Sequence, residues 1–410
     1  MKNIFILSLS TIISLSVIAQ NVGIGTINPL ARLHVADSSA IFTATGVVPV
    51  SPGDAPISGE GRRMMWYADK AAFRTGYVDG VQWDKDNIGK WSIATGRNTT
   101  ASGSFSTALG TNTTASGNFS TAMGVNSAAL SAASLAMGYN ATAGSDYAIA
   151  IGNGSNASGN SSIAMGFFSK ANGIASIAVG NSTALGENST SMGNGSTAAG
   201  NSSTAMGYNT TANGHYSTAM GDYVSTSYFS GAFAIGDNST TTVMQSFVNN
   251  GFRARFAGGY RLLTNSAANI GVVLLASGNA WSAISDVRLK EKFFPVDGEL
   301  VLKKIARIPL TTWNYKDQDA KKLRHYGPMA QDFYKAFGHD ELGEIGCDTL
   351  INQQDFLGVN LIAIQALEKR TGKINEIQKE NMDLNKKIHL LEKRLEMLEK
   401  LLYKKMPVVK

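Results

Sequence analysis

A short pattern of apolar and polar positions repeats through the middle of the chain, with a period of about fourteen residues. In each unit a small residue, an apolar residue and a glycine stand in succession, followed by a half rich in Asn, Ser and Thr. The glycine intervals are fourteen residues, apart from one of thirteen and one of fifteen, and the glycines are Gly96, Gly110, Gly124, Gly138, Gly152, Gly166, Gly180, Gly193, Gly207, Gly221 and Gly236. Alternation at period two predicts short strands, and the glycines and Asn-rich halves predict turns.

The two residues before each glycine after the first define the faces of the predicted strand. The nearer residue is always apolar, and the farther one is Ala in every unit except the one with Ser191. Because one unit buries too little to be stable alone, the pattern predicts stacked coils at about 4.8 Å per coil. Since Ala fills little volume, the coils must be thin, and we expect them to pack against copies of the chain. The repeat Met residues are interpreted as core residues, not as metal or redox sites.

Different patterns flank the repeats. Residues 20–95 predict an N-terminal β-rich region with a small core that includes Trp66, Trp83 and Trp91. The repeats occupy residues 96–250. Residues 251–284 predict a β neck, in which one strand runs into a Gly258–Gly259 turn and a second strand covers Ile270–Leu275.

The first nineteen residues have the features of a secretory signal. Lys2 supplies a basic start, and Ile4–Ile18 is an apolar run. Small residues before the junction predict cleavage between Ala19 and Gln20. A membrane anchor is the alternative, but the run is shorter than the roughly twenty apolar residues that a spanning helix needs. The segment therefore predicts a secreted or cell-surface protein.

Residues 363–404 predict a coiled coil, because apolar side chains recur there at heptad spacing. The a positions are Leu367, Ile374, Asn381, Ile388, Leu395 and Leu402, and the d positions are Ala363, Arg370, Ile377, Leu384, Leu391 and Leu398. Asn381 is expected to fix the register, whereas Arg370 is a polar exception. Ile and Leu at a with Leu at d favour a dimer if anything, so the heptad leaves the number of chains open.

Charge and composition exclude several classes of function. The formal net charge is +6, yet between Gly96 and Asn250 only Arg97 and Lys170 are positive. Much of the excess lies among interleaved Lys and Glu in the last forty residues, which is typical of a solvated helix face rather than a nucleic-acid surface. The single Cys347 excludes a disulfide framework, and the five His form no ligand cluster. We expect no metal, no cofactor and no nucleic-acid partner.

The repeat, with its recurrent Ala-apolar-Gly mark, resembles the head repeats of the YadA-like trimeric autotransporter adhesins. The resemblance covers about 140 residues. It implies a mainly β fold, a left-handed parallel β-roll of three chains side by side, and a role in binding a surface. The sequence shows no terminal segment of amphipathic strands like the membrane anchor of that family.

The stretch from Trp281 to Glu291 resembles the start of the autoprocessing chaperone domain of phage endosialidase tailspikes, serine peptidase family 74. The segments 308–315 and 324–333 support the resemblance. It implies a small α+β chaperone domain over residues 285–362, ahead of the coiled coil. It also implies that Ser285 cuts the Ile284–Ser285 bond with Lys290 as its base, since a serine hydroxyl needs a base to become a nucleophile.

Further residues are candidates to support that chemistry. Arg288 and Lys292 are neighbours that would lower the pKa of the Lys290 ammonium. Asp286, His325 and Gln331 are candidates for holding the pair or the oxyanion. From spacing alone, Ser285 could equally cap a turn and Lys290 could be a solvated side chain.

These inferences lead to one hypothesis and two alternatives. The chain is a secreted or cell-surface homotrimeric fibre whose C-terminal domain aligns the chains and then cuts once before Ser285, with no external substrate. Its partner would be a host, matrix or glycan surface. The first alternative is a surface adhesin or matrix protein that keeps its trimerisation module, and the second is a phage-derived tail fibre.

Overall fold

The computed structural model describes residues 21–405 and forms two compact units, divided between Gly258 and Gly259. The predicted signal segment, with Ala19 and Gln20, lies outside the described residues. None of the described helices is both long and apolar enough to cross a membrane.

The first unit is a β-solenoid built from two parallel ladders, as the fourteen-residue period predicts. The long-strand sheet has fourteen strands: Gly61–Tyr67, Ala72–Val78, Ile93–Arg97, Thr107–Thr111, Thr121–Val125, Leu135–Tyr139, Ile149–Asn153, Ile163–Met165, Ile177–Val179, Thr190–Asn194, Thr204–Tyr208, Thr218–Asp222, Phe233–Gly236 and Phe252–Arg255. The short-strand sheet has eleven strands: Thr100–Ala101, Thr114–Ala115, Ala128–Ala129, Thr142–Ala143, Asn156–Ala157, Lys170–Ala171, Thr183–Ala184, Thr197–Ala198, Thr211–Ala212, Val224–Ser225 and Met244–Gln245. The stacked-coil fold is thus confirmed.

Equivalent repeat positions pair directly between neighbouring coils. Gly96 lies opposite Gly110, and Ala94 opposite Ala108. The Ala before each apolar residue is fully buried, as are the Ala residues of the short strands and a column of Ser or Thr between them. The core is therefore a thin stack of small side chains.

The interpretation of the repeat Met residues as core is wrong for the chain by itself. Successive side chains of a strand point to opposite faces, so burying Ala136 turns Met137 outward. Met137, Met165 and Met192 are 36%, 38% and 38% exposed. The outer stripe of the long-strand sheet consists of two columns of side chains. The first column is the apolar residue directly before each repeat glycine, and the second column is the residue three positions before that glycine. Thr121, Leu135 and other members of the second column are half-buried.

Arginines replace alanine at both ends of the buried column. Arg74 lies opposite Ala94 at the first coils, and Arg253 lies opposite Ala234 at the last. The Arg74 guanidinium is fully buried and donates to the carbonyls of Phe73, Ser92 and Ala101 at 2.8–3.0 Å. Burial lowers the pKa of Arg74 to about 10. The long side chains close a core that small residues would leave open.

The solenoid extends beyond the predicted repeat at both ends. The hairpin Gly61–Tyr67 and Ala72–Val78 starts the long-strand sheet over a core that contains the buried Trp83. Phe252–Arg255 adds the last parallel strand instead of pairing across Gly258–Gly259, which mark the boundary between the units. Near the amino terminus, Val22–Ile24 pairs with Leu33–Val35 in parallel.

Over its described residues, 259–405, the second unit contains three small antiparallel sheets and three α-helices. Its strands are Gly259–Leu263, Gly271–Leu275 and Ser282–Ala283, then Thr311–Trp313 with His325–Gly327, and His339–Asp340 with Gly343–Glu344. The helices are α1 (Gly298–Ile305), α2 (Ala330–Phe337) and α3 (Gln353–Lys405). Short 3₁₀ helices cover Ala68–Lys70, Lys85–Asn87 and Val287–Leu289 of the chain.

The repeat glycines allow the coils to approach, and one pair of substitutions tests this. Gly138 has φ +132, and a Cβ there would lie 2.2 Å from the carbonyl oxygen of Gly152. At Gly144 the nearest atom would be 3.8 Å away. We expect Gly138→Ala to lower the free energy of unfolding by about 2 kcal/mol or more, and Gly144→Ala to change it by about 0.5 kcal/mol or less. Denaturant unfolding measures both, and equal effects would contradict the close packing of the glycine column.

Candidate functional site

A single turn brings Lys290 back to Ser285. Lys290 Nζ donates a hydrogen bond to Ser285 Oγ at 2.6 Å. Between them the 3₁₀ helix Val287–Leu289 begins after Asp286, whose carboxylate accepts from the Arg288 backbone N–H at 2.9 Å. An Asp before a short helix is a usual cap, because its side chain satisfies a free backbone donor. The spacing of five residues is therefore enough to place the serine hydroxyl beside the lysine ammonium.

Asp286 and Arg288 clamp this turn. Arg288 Nη2 lies 2.6 Å from Asp286 Oδ2. The Arg288 hydrogen bond lowers the pKa of the Asp286 carboxyl, and the same bond raises the pKa of Arg288. Arg288 is thus engaged with Asp286, and Asp286 caps the turn that joins Ser285 to Lys290. The Asp-x-Arg spacing is the sequence signal for this clamp.

The Ile284–Ser285 bond follows the last strand of the three-stranded sheet. Ser282–Ala283 pairs with Val272 and Val273, and the Ile284 N–H donates to the Gly271 carbonyl at 3.0 Å. The residue before the bond is therefore held by the sheet. Ile284 is half-buried, whereas Ser285 and Lys290 are exposed in the single chain.

His325 and Gln331 have other neighbours in the second unit. The His325 ring stacks on Trp313 at 4.6 Å, and its Nε2 is 3.1 Å from Gln318 Oε1. Gln331 lines a cavity of about 520 Å³ beside Trp313 and Met329. Within the described part of the chain, no hydrogen bond or ring contact joins His325 or Gln331 to Ser285 or Lys290.

The first turns of α3 pack on this domain. Val301, Phe333, Phe337 and Ala363 form a buried core shared by α1, α2 and α3. Arg370 Nε donates to both carboxylate oxygens of Glu299, at 3.1 and 2.9 Å. This explains the polar residue in the heptad, because Arg370 faces α1 in its own chain. No local signal marks this pair, since its partners are 71 residues apart.

Beyond Arg370 the apolar heptad positions of α3 are uncovered in the single chain. The exposed fraction is 53% for Ile374, 52% for Leu384, 50% for Ile388 and 60% for Leu395. Asn381 lies in the same continuous helix and is exposed. The chain thus presents a long apolar seam with one polar member.

Two family models match the chain. Overlapping matches to the YadA head domain repeat, each spanning two copies, fall between residues 88 and 223. The chaperone of endosialidase matches residues 285–340. No curated protein matches the sequence. Both resemblances are confirmed, so the chain carries YadA head repeats followed by an endosialidase-type chaperone domain.

Proposed function

We propose that the chain is a secreted or cell-surface homotrimeric fibre whose chaperone module aligns three chains and then cleaves the Ile284–Ser285 bond once. The observation that carries the cleavage proposal is the 2.6 Å hydrogen bond from Lys290 Nζ to Ser285 Oγ. The Ile284–Ser285 bond comes directly after the strand Ser282–Ala283, and the Ile284 N–H donates to the Gly271 carbonyl of the neighbouring strand. The fibre would bind a host, matrix or glycan surface.

The outer stripe supports the assembly of several chains. It runs along the long-strand sheet and carries half-exposed Met, Leu, Ile and Val side chains beside Thr. Soluble monomers rarely expose a contiguous apolar surface of more than a few hundred Å². A second copy offers the same stripe in the same spacing, so the coils of neighbouring chains match. The number three rests on the family resemblance.

The exposed seam of α3 supports a coiled coil between the same chains. Ile374, Leu384, Ile388 and Leu395 would be buried by partner helices at a and d positions. A buried polar residue at an a position favours one alignment of the chains, because a shift leaves its side chain against apolar neighbours. Asn381 would therefore set the register.

The chemistry of cleavage needs only the chain itself. Ser285 Oγ attacks the carbonyl carbon of Ile284 while Lys290 Nζ takes the hydroxyl proton. The C–N bond breaks, the freed Ser285 amine takes up the proton, and water hydrolyses the resulting ester. The products are a chain ending at Ile284 and a chain beginning at Ser285.

Lys290 must be neutral to accept that proton, and burial is what favours a neutral amine. Since Ser285 and Lys290 are exposed in one chain, the burial would come from neighbouring chains. Cleavage would then follow assembly, and only aligned chains would be released from the module.

The proposal predicts which side chains processing requires. The mature chain should yield a fragment that begins at Ser285, and Ser285→Ala should abolish it. Lys290→Arg should also abolish it, because arginine keeps the charge but does not give up its proton at accessible pH. Lys321→Ala removes an exposed lysine that the chemistry does not use, so this matched control should still be cut. Intact-mass and N-terminal analysis reads all four chains, and cleavage of both active-site variants would refute the assignment.

A charge in the outer stripe should weaken assembly. Met206 is half-buried on the stripe, whereas Asn201 is exposed at a turn, where its Oδ1 accepts from Glu187 N–H at 3.2 Å. Met206→Asp would bury one carboxylate from each chain, at a cost of several kcal/mol per ion. Asn201→Asp keeps the acceptor and serves as control.

Light scattering should then give a trimer mass for the parent and for Asn201→Asp, and a lower mass for Met206→Asp. A monomeric or dimeric parent would contradict the proposed copy number.

The exposure of Ser285 and Lys290 favours one second candidate. In it the chain is an uncleaved surface adhesin or matrix protein whose module remains as a permanent trimerisation device. An intact chain in the assembled fibre would select this candidate, with the trimer mass unchanged. The phage-derived tail fibre finds no such support, and the signal-like start of the sequence argues against it.

A further inference from the structure

One turn of each solenoid coil forms a straight column of residues with left-handed backbone. We name this column the turn ladder, and its members are Trp91, Phe105, Phe119, Ala133, Tyr147, Ser161, Ala175, Asn188, Ser202 and Tyr216, with φ between 51° and 60°. Each rung bonds to the coil before it. Ala133 N–H donates to the Asn118 carbonyl at 2.8 Å, and Tyr147 N–H to the Ala132 carbonyl at 2.9 Å. The rungs are therefore fixed by the backbone.

Aromatic residues are costly choices for this ladder. Left-handed backbone is unfavourable for a residue other than glycine, and Ser, Ala and Asn fill the same position in other coils. The rings are not buried either, since Phe105 is 46% exposed and both Phe119 and Tyr147 are 63% exposed. The fold thus requires neither the size nor the apolar surface of these side chains.

Stacking between neighbouring rings explains only some of the aromatic residues in the turn ladder. Trp91 and Phe105 stack at 4.5 Å between ring centroids, and Phe105 and Phe119 at 4.9 Å. Stacked pairs of this kind add stability beyond the burial of their surface. The stack ends at Phe119, because the next rung is Ala133. Tyr147 follows that rung and makes no ring contact with any described residue.

Ala133 therefore leaves one rung open between two aromatic side chains. When Tyr147 takes the orientation of the stacked rings, its ring lies about 9.6 Å from that of Phe119, which is two steps of the strand spacing. A single ring of a ligand would contact both at an ordinary stacking distance. The floor of this slot is Ala132 and the exposed Ala133, the rung with the least side-chain bulk next to an aromatic wall.

The rim of the slot carries hydrogen-bonding groups. Asp146 Oδ1 accepts from Ala132 N–H at 3.0 Å, which holds the carboxylate beside Tyr147. Asp146 Oδ2 has no hydrogen-bond partner among the described residues, and the side chain is exposed. On the other wall, Asn118 Oδ1 accepts from Ser104 N–H at 3.0 Å. The slot therefore combines two apolar faces with a carboxylate acceptor.

We propose that the Ala133 slot binds one neutral pyranose ring of a glycan. The two C–H faces of such a ring suit Phe119 and Tyr147, and its equatorial hydroxyls reach Asp146 at the rim. An acidic sugar is disfavoured by the carboxylate. The inference rests on the proposed surface-binding role, but it does not depend on cleavage or on the number of chains.

The test measures the binding of three probes, maltotriose, lactose and chitotriose, to the full mature chain. Calorimetric titration gives the affinity, and saturation-transfer NMR detects the contact with the sugar. Ala133→Phe fills the slot with one more rung and should lower the affinity about tenfold or more, and Tyr147→Ser removes one wall with a similar result. The matched controls are Ala175→Phe, between Ser161 and Asn188, and Tyr216→Ser, an isolated ring. Both should stay within about twofold of the parent.

Three results would overturn the proposal. These are no binding of any probe by the parent, equal losses in the test and control variants, and displacement of the sugar from the ladder by a Trp-containing peptide that binds more tightly at Ala133. The mass of each variant by light scattering, and its thermal unfolding, separate a failed assembly or fold from a failed slot.

Discussion

The small size of the alanine side chain is the constraint on which the structure depends. A fully buried column of Ala removes little apolar area from water in each coil. The burial stabilises the fold by roughly 0.8 kcal/mol for each methylene-sized group. The backbone ladders between coils must therefore hold the solenoid together, and the close approach at glycine makes them continuous. A stack of this kind is weakest at its ends, where Arg74 and Arg253 replace alanine and donate additional hydrogen bonds to backbone carbonyls.

The period of the sequence predicts the solenoid, but it does not decide which apolar column lies inside. Ala136 and Met137 are both apolar, and alternation says only that they face opposite ways. The narrow coil selects the smaller side chain, so Met137 is on the outer stripe. The repeat pattern also does not predict where the long-strand sheet starts and ends. Phe252–Arg255 pairs with the last repeat strand although it lacks the Ala-apolar-Gly mark.

At the candidate processing site, local spacing carries most of the information. Ser285 and Lys290 are joined by a turn that Asp286 caps, and each of these residues is within five positions of the others. Long-range pairs leave no such trace. The ion pair of Arg370 with Glu299 explains an apparent flaw in the heptad, yet it becomes visible only when α1 packs on α3. The spacing therefore predicts the contact of Ser285 with Lys290, whereas no local signal predicts that the His325 ring stacks on Trp313.

The uniformity of the repeats creates a problem of alignment. If one chain slips by a whole coil against another, an apolar side chain of the outer stripe still meets an apolar side chain, so the outer stripe alone discriminates poorly between registers. Only irregular features change, such as the thirteen- and fifteen-residue intervals and the aromatic rungs of the turn ladder. A unique register is better set outside the repeats, by a helix with a single polar position such as Asn381. The backbone ladders hold the coils of one chain together but do not specify which coil faces which in a neighbouring chain, and this is a physical reason for joining a chaperone module to a uniform repeat.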